Sequence, residues 1–383
     1  LNFTSIMCDN ELLNIAKHEK WNILDVLLNS IALFGYDINA RNEKGDGLIH
    51  ILAEKNSNLL EKVIENGANV NAVNRIGKTA FHVALENNNN KSVDVLVKSG
   101  ADPDLLDFSG ESPLFKAVRR GNDFAIRELI KSGAKTKFAN REGSNLLHVA
   151  LEVGIQTEIV KLLIENGSDV NYRNKAGQTP LTTAFLRGNL EVAKLLMRNG
   201  AAIDSLLHHD RRQPILHNAV LQQQASIARE LIKIGIAVNG KNNNGETPLH
   251  HAVEGESFEI FQYLLEKGAS VNSTDKDGYA PLHLASDMKF AKKLFSQGAS
   301  INIQTSNGDS PLHRAASKGN FAVVESLLSN NADINLRNGD GYTPLHLAKD
   351  NGHLDVFNYL VMHGADVNIE DNFNRRVQDN KLR

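Results

Sequence analysis

Gly245-Glu246-Thr247-Pro248-Leu249-His250-His251-Ala252 and Gly341-Tyr342-Thr343-Pro344-Leu345-His346-Leu347-Ala348 are two copies of one phrase, G-x-T-P-L-H-x-A, and that phrase decides the fold. It returns about every 33 residues through most of the chain. Its glycine stands at Gly45, Gly77, Gly110, Gly143, Gly177, Gly245, Gly278, Gly308 and Gly341, and Arg212 takes the glycine place in one more unit. A second phrase, G-A-x-V-N, follows, as in Gly67-Ala68-Asn69-Val70-Asn71 and Gly364-Ala365-Asp366-Val367-Asn368. A fixed period of this length means a solenoid, in which one supersecondary unit buries surface only against its neighbours.

Each position of the phrase has a local reason. Thr247-Pro248, Thr343-Pro344, Thr179-Pro180, Ser310-Pro311 and Ser112-Pro113 read as a hydroxyl N-cap followed by proline at the first helical position. The hydroxyl accepts an orphan backbone N–H, and the donor that proline lacks would be unpaired there anyway. A second helix carries an apolar pair near its end, at Leu162-Leu163, Leu195-Leu196, Leu264-Leu265 and Leu327-Leu328. It stops at a glycine such as Gly268 or, in one unit, at Asn331. Both residue types tolerate the left-handed conformation of a helix C-cap.

A period near 33, a T-P-L-H opening and polar turns between units resemble the ankyrin repeat family. The resemblance implies an all-α solenoid of helix pairs with short β-hairpin turns. It covers residues 41–370 as an array of ten units. Residues 1–40 read as a degenerate N-terminal unit or cap, with Leu13-Asn14-Ile15-Ala16 in the first helix and Val26-Leu27-Leu28 in the second. Residues 371–383 read as a polar tail or the start of a truncated next unit, and the opening Leu1 suggests a piece of a longer protein. Two joints break the repeat length and are expected to be its softest points: a deletion around Asp287-Met288-Lys289-Phe290 and a long turn, Ser205–Asp210.

The resemblance also places a binding face. In such arrays the turn tips and the exposed side of each first helix form a concave surface. Here those positions carry Arg119, Arg120, Arg141, Arg173, Lys175, Arg187, Arg211 and Arg212, offset in part by Glu111, Glu142, Glu152 and Asp210. Ile76, Leu106, Phe108 and Tyr279 add large apolar groups. Aromatic and arginine side chains together are what interface hot spots favour, so the expected partner is a polypeptide with acidic residues beside an apolar anchor. The plainer reading is that Phe108 and Ile76 pack on the neighbouring turn and the arginines are a solvated face. Glu246, one residue after its glycine, reads as a surface position of little consequence for stability.

Histidine recurs at positions 50, 82, 148, 217, 250, 283, 313 and 346. Equivalent atoms a full repeat apart cannot share one ion at ligand distances of about 2 Å. The resemblance implies instead that each imidazole bonds the backbone of the following turn. Phe115 and Thr182 replace it in two units, whose turns are expected to be held less firmly. His208, His209, Asp210 and His217 cluster in sequence without a ligand pattern, and Asp275-x-Asp277-Gly278 lacks the later ligands of a calcium loop. No metal site and no cofactor are expected. The sequons at Asn2 and Asn272 read as turn chemistry.

There is one cysteine, Cys8, which is compatible with a reducing, cytoplasmic setting. Net charge is -3, which supplies no global field towards nucleic acid or anionic lipid. The chain holds no phosphate-binding glycine loop, no nucleophile motif and no apolar run long enough to span a bilayer. The expected function is a non-catalytic scaffold or adaptor. The alternatives are the targeting arm of a larger enzyme, bacterial effector or toxin, and, less favoured, nucleic-acid binding through the arginines.

Overall fold

A computed structural model describes residues 11–31, 36–203 and 214–377. Cys8, His208, His209, Asp210, Arg211, Arg212 and the turn Ser205–Asp210 lie outside the described residues. Contacts divide the chain into two units, Leu1–Ala202 and Ile203–Arg383. No described helix is long and apolar enough to cross a membrane.

The first unit contains the helix pairs Leu48–Lys55 and Ser57–Glu65, Ala80–Glu86 and Asn90–Lys98, Pro113–Arg120 and Asp123–Lys131, Leu146–Val153 and Thr157–Glu165, and Pro180–Leu186 and Leu190–Arg198. Ahead of them lie a helix over 11–17 and the helix Trp21–Asn29. First helices pack on first helices and second on second, so the core is a seam between neighbouring pairs. Phe81, Leu114, Phe115, Leu147, Leu163 and Phe185 lie in it, fully buried.

The second unit repeats the scheme with Ile215–Leu221 and Ala225–Lys233, Pro248–Glu254 and Phe258–Glu266, Pro281–Leu284 and Met288–Ser296, Pro311–Ser317 and Phe321–Ser329, and Pro344–Asp350 and Leu354–Met362. The missing residues near Asp287 shorten one first helix to 4 residues, against 7 in the helix before it. Its chain turns extended at Ala285, with ψ 117°. Phe258, Phe261 and Phe290 close around this place with ring centroids 4.9–5.7 Å apart. Second helices end as the residue types require, with Gly268 at φ 83° and Asn331 at φ 65°.

Side chains hold the turns, and regular strands play no part in them. Among the described residues the β-structure is limited to isolated antiparallel bridges such as Arg41 with Gly47 and Ala139 with Asn145. In most of the described turns one Asn or Asp accepts backbone N–H groups two and four residues on, and at Thr305 the hydroxyl accepts only the Asp309 N–H. Asn74 takes those of Ile76 and Lys78 at 3.1 and 2.9 Å. Asp371 does the same for Phe373 and Arg375, so the chain makes a further turn before residue 377. The Asn of the G-A-x-V-N phrase joins neighbours. Asn272 donates to the Gly298 carbonyl and accepts from Ser300 N–H, at 3.0 and 2.7 Å, which explains its sequon as structural.

Candidate protein-binding face

The histidine of each phrase positions the face. The Thr247 N–H donates to His250 Nδ1 at 3.0 Å, and the Thr247 hydroxyl lies 2.8 Å from the same nitrogen. His250 Nε2 reaches the Tyr279 carbonyl of the next turn at 3.0 Å. A carbonyl only accepts, so Nε2 carries the proton and Nδ1 is an acceptor. The hydroxyl cap read from sequence is present at Ser112, Thr179 and Ser310, where it accepts the N–H three residues on; at Thr79, Thr247 and Thr343 the hydroxyl donates to imidazole Nδ1, which also takes the N-cap N–H. His50, His82, His148, His217, His283 and His313 likewise reach the following turn's carbonyl, at 2.9–3.1 Å. Burial lowers the pKa of each of these rings and outweighs the bond to the carbonyl.

The turn tips are also stitched together. Arg75 N–H donates to the Lys44 carbonyl and Phe108 N–H to the Ile76 carbonyl, both at 3.1 Å. The second unit repeats this from Lys276 to Asn244 and from Ser306 to Asp277. Among the described residues the stitch is missing on both sides of the turn Asn140–Ser144, the one that follows Phe115: neither Arg141 N–H nor Lys175 N–H makes it. That turn therefore lacks both the histidine tether and the tip bond. The turn after Thr182 lies outside the described residues.

Around Phe115 an ionic cluster takes over. Lys116 Nζ lies 3.0 Å from Asp107, 2.9 Å from Glu111 and 3.9 Å from Glu86 on the preceding first helix. Burial alone would push the Asp107 carboxyl up. The Ser109 hydroxyl, the Glu111 backbone N–H and the Lys116 ammonium outweigh it and hold the carboxyl down to about 2. Arg119 closes on Glu111 through Nε and a terminal nitrogen, so its fork is already occupied.

The residues singled out from sequence fall into three groups. Ile76 and Phe108 sit on hydrogen-bonded neighbouring tips and are 53% and 61% exposed. The Phe108 ring lies over Gly77, so it packs on the neighbouring turn and still presents most of its surface. Ile76 also lines a groove of about 390 Å³ together with Ile51 and Val83 and the charged Lys44, Asp46, Glu54 and Glu86. Leu106 is exposed on the Phe108 loop. Arg120, Arg141 and Arg187 are exposed and have no ion-pair partner among the described residues. Lys175 donates to the Arg141 carbonyl at 2.6 Å and Arg173 to the Gly177 carbonyl at 3.1 Å, which uses part of their hydrogen-bonding capacity. Arg119 and Arg120 border a shallow groove with Val153 and Ile155, beside the bends between paired helices. Arg211 and Arg212 lie outside the described residues. Tyr279 belongs to the second unit, where Arg314 stacks 4.7 Å over its ring beside a groove of about 340 Å³ shared with Tyr342.

One constellation escaped the sequence reading. Glu246 is half-buried, with its carboxylate 2.7 Å from the Asn242 amide and 3.6 Å from His251 Nε2. His251 is buried and Glu254, one turn on, is exposed. The signal available was the doublet His250-His251, because Ile51, Val83, Val149 and Leu347 occupy the second place in other units.

A family model of ankyrin repeats in three copies matches residues 12–107, 91–174, 114–206, 155–242, 216–305 and 282–371. The chain is 32% identical over 101 residues to a transient receptor potential cation channel subfamily A member 1 homolog of Caenorhabditis elegans, which is 26% of this chain and 8% of that one. It is 33% identical over 104 residues to a B-cell lymphoma 3 protein homolog of Mus musculus, 27% of this chain and 22% of the other. It is 30% identical over 95 residues to alpha-latrotoxin-Lg1a of Latrodectus geometricus, 24% of this chain and 7% of the toxin. The matched stretches thus span less than a quarter of each relative. Tethering histidines, stitched tips and stacked helix pairs agree with the family match along almost the whole chain: it belongs to the ankyrin repeat family.

Proposed function

We propose that this chain is a non-catalytic recognition scaffold that binds a partner polypeptide across the turn tips and first-helix face of its first unit. Repeats of this family are generally protein–protein interaction modules. The observation that carries the reading is the pair Ile76 and Phe108. Two large apolar side chains stand more than half exposed on adjoining tips, and Ile76 lines a groove that carries Ile51 and Val83 among charged side chains. Burying them on a partner supplies the apolar contact, and interface energy concentrates in such anchors. Arg141 and Arg120 offer unpaired guanidinium forks to carboxylates of the same partner. We place the interaction in the cytoplasm.

The test is capture of partners by the untagged chain, followed by affinity measurements on variants. Phe108→Ala and Ile76→Ala should each weaken binding by about tenfold or more, since truncating an interface anchor costs about 2 kcal/mol. Arg141→Glu should mainly slow association at low salt. A partner whose affinity ignores all three places the binding face elsewhere. A nucleic-acid ligand would betray itself by a steep logarithmic salt slope.

A second reading has its own support. The relatives include a cation channel homolog and a latrotoxin of which the matched segment is a small part. On that reading the array is the targeting arm of a longer protein, and the full reading frame decides it.

A further inference from the structure

In the first helices of this array, the residues four before and four after the tethering position face one another. Lys78 pairs with Glu86 at 2.6 Å on this register, and Glu111 pairs with Arg119. Around His250 the same two places hold Glu246 and Glu254, so two carboxylates converge where those two units put opposite charges. The place one after the tether is Lys116 in the Phe115 unit, where it neutralises Asp107 and Glu111. Around His250 it is His251. No Lys or Arg pairs with Glu246 or Glu254 among the described residues.

The His251 ring is 7% exposed and poorly satisfied. Its Nδ1 has no hydrogen-bond partner. Its Nε2 has only the Asn242 amide at 3.5 Å and the Glu246 carboxylate at 3.6 Å, both beyond good hydrogen-bond length. A buried imidazole that lies 3.6 Å from one carboxylate and makes no firm bond through either nitrogen is an incomplete arrangement. One donor atom from each of Glu246, His251 and Glu254 lies within 4.8 Å of the others.

We propose that Glu246, His251 and Glu254 bind one divalent transition-metal ion of the zinc class. The ion supplies the missing positive charge and takes the ring's lone pair. Imidazole nitrogen with two carboxylates is a donor set such ions accept. Donors sit about 2 Å from zinc, so the exposed Glu254 side chain has to swing inward by on the order of an ångström. An imidazole ligates through the lone pair of its neutral form. Asn242 and Asn244 both donate to Glu246 Oε2, at 2.7 and 3.5 Å, and orient that ligand. Three protein donors leave a coordination position open at the exposed side, for water or a partner's carboxylate or imidazole. Asp46 and Glu54 repeat the acidic pair around His50, but Ile51 stands between them and offers no donor.

Calorimetric titration of the full chain with zinc, in the absence of any histidine tag, tests this, with cobalt(II) absorption as the second readout. One ion per chain is expected. His251→Gln and Glu254→Gln should each weaken binding about 10- to 100-fold. Glu254→Lys, which introduces the ion-pair pattern of Glu111 with Arg119, should abolish it. His363→Gln, at an exposed histidine away from the trio, should leave it unchanged. Glu254 is exposed, so its variants remain informative even if His251→Gln fails to fold. Absence of saturable one-to-one binding overturns the proposal, as does binding that Glu254→Gln and Glu254→Lys leave intact. The probe is the metal alone, so failure here leaves the protein-binding reading untouched.

Discussion

Replacing Lys116 with Ala should be among the most destabilising single changes in the first unit. The ammonium lies 3.0 Å from Asp107 and 2.9 Å from Glu111, whose side chains are only 3% and 6% exposed. Its removal leaves Asp107 buried without a cation and Glu111 dependent on Arg119 alone. Breaking a buried pair in this way costs about 3–5 kcal/mol, because the remaining charge is uncompensated. A second figure bounds what the whole cluster contributes at Asp107, where the Ser109 hydroxyl and the Glu111 N–H share the work with Lys116. The Asp107 carboxyl is held at about 2 instead of 3.8, and that depression corresponds to about 2 kcal/mol of folding stability. The folded value is the lower one, so this contribution is present above pH 3.8 and is lost as pH falls from there towards 2. Urea melts of wild type and Lys116→Ala between pH 7 and 3 measure both effects. Because a repeat array can open locally, hydrogen exchange over residues 107–120 should accompany them. The variant should lose about 3–5 kcal/mol at pH 7 and show a flatter acid limb. Adding Asp107→Asn and Glu111→Gln to Lys116→Met should recover much of the loss, since a neutral cluster needs no counter-charge. A cost below about 1 kcal/mol with an unchanged acid limb would show that the cluster is a solvated surface network.

Acid should weaken the histidine tethers before it reaches most carboxylates. His82 and His313 have pKa values lowered by burial against the bonds to the Glu111 and Tyr342 carbonyls. Their stabilising contribution is therefore complete above the unfolded value of about 6.5 and is lost as pH falls below it. Thermal melts from pH 7.5 to 5 should show falling stability, and a flat profile there would contradict the neutral tautomer deduced from their partners. Pro214→Thr should stabilise the second unit by about 1 kcal/mol. His217 Nδ1 is buried without a partner, and Pro214 occupies the place where Thr247 gives His250 both an N–H and a hydroxyl. A melt showing no gain would mean that the cap is satisfied by other means. Leu264→Ala should cost about 2–5 kcal/mol, because Leu264 is 0% exposed between stacked helices. A denaturant midpoint close to wild type would place that side chain outside the core.

What was legible in the sequence was whatever chemistry is local or lies one period away. Thr247, Pro248 and His250 interact within three residues, and His250 reaches Tyr279 at a fixed offset. Helices, caps, C-terminal glycines and tethers could therefore be read from spacing. The part the imidazole plays at the cap was not legible, because only geometry shows that His250 Nδ1 accepts from both the Thr247 N–H and its hydroxyl. The charged face was less legible, since exposure and pairing depend on which side chains on consecutive turns of one helix meet the loop before it. Arg119 looked free and is held by Glu111. Glu246 looked inconsequential and lies half-buried against His251. Both follow from one rule that the aligned units contain once the tether is taken as origin: positions four before and four after it face each other. Lys78 with Glu86 and Glu111 with Arg119 satisfy the rule with opposite charges. Glu246 with Glu254 departs from it, as Asp46 with Glu54 does. In a solenoid each unit buries the same seam, so packing does not set the charges on this face; what sets Glu246 and Glu254 apart is that His251, a donor, stands between them where Ile51 stands between the other pair.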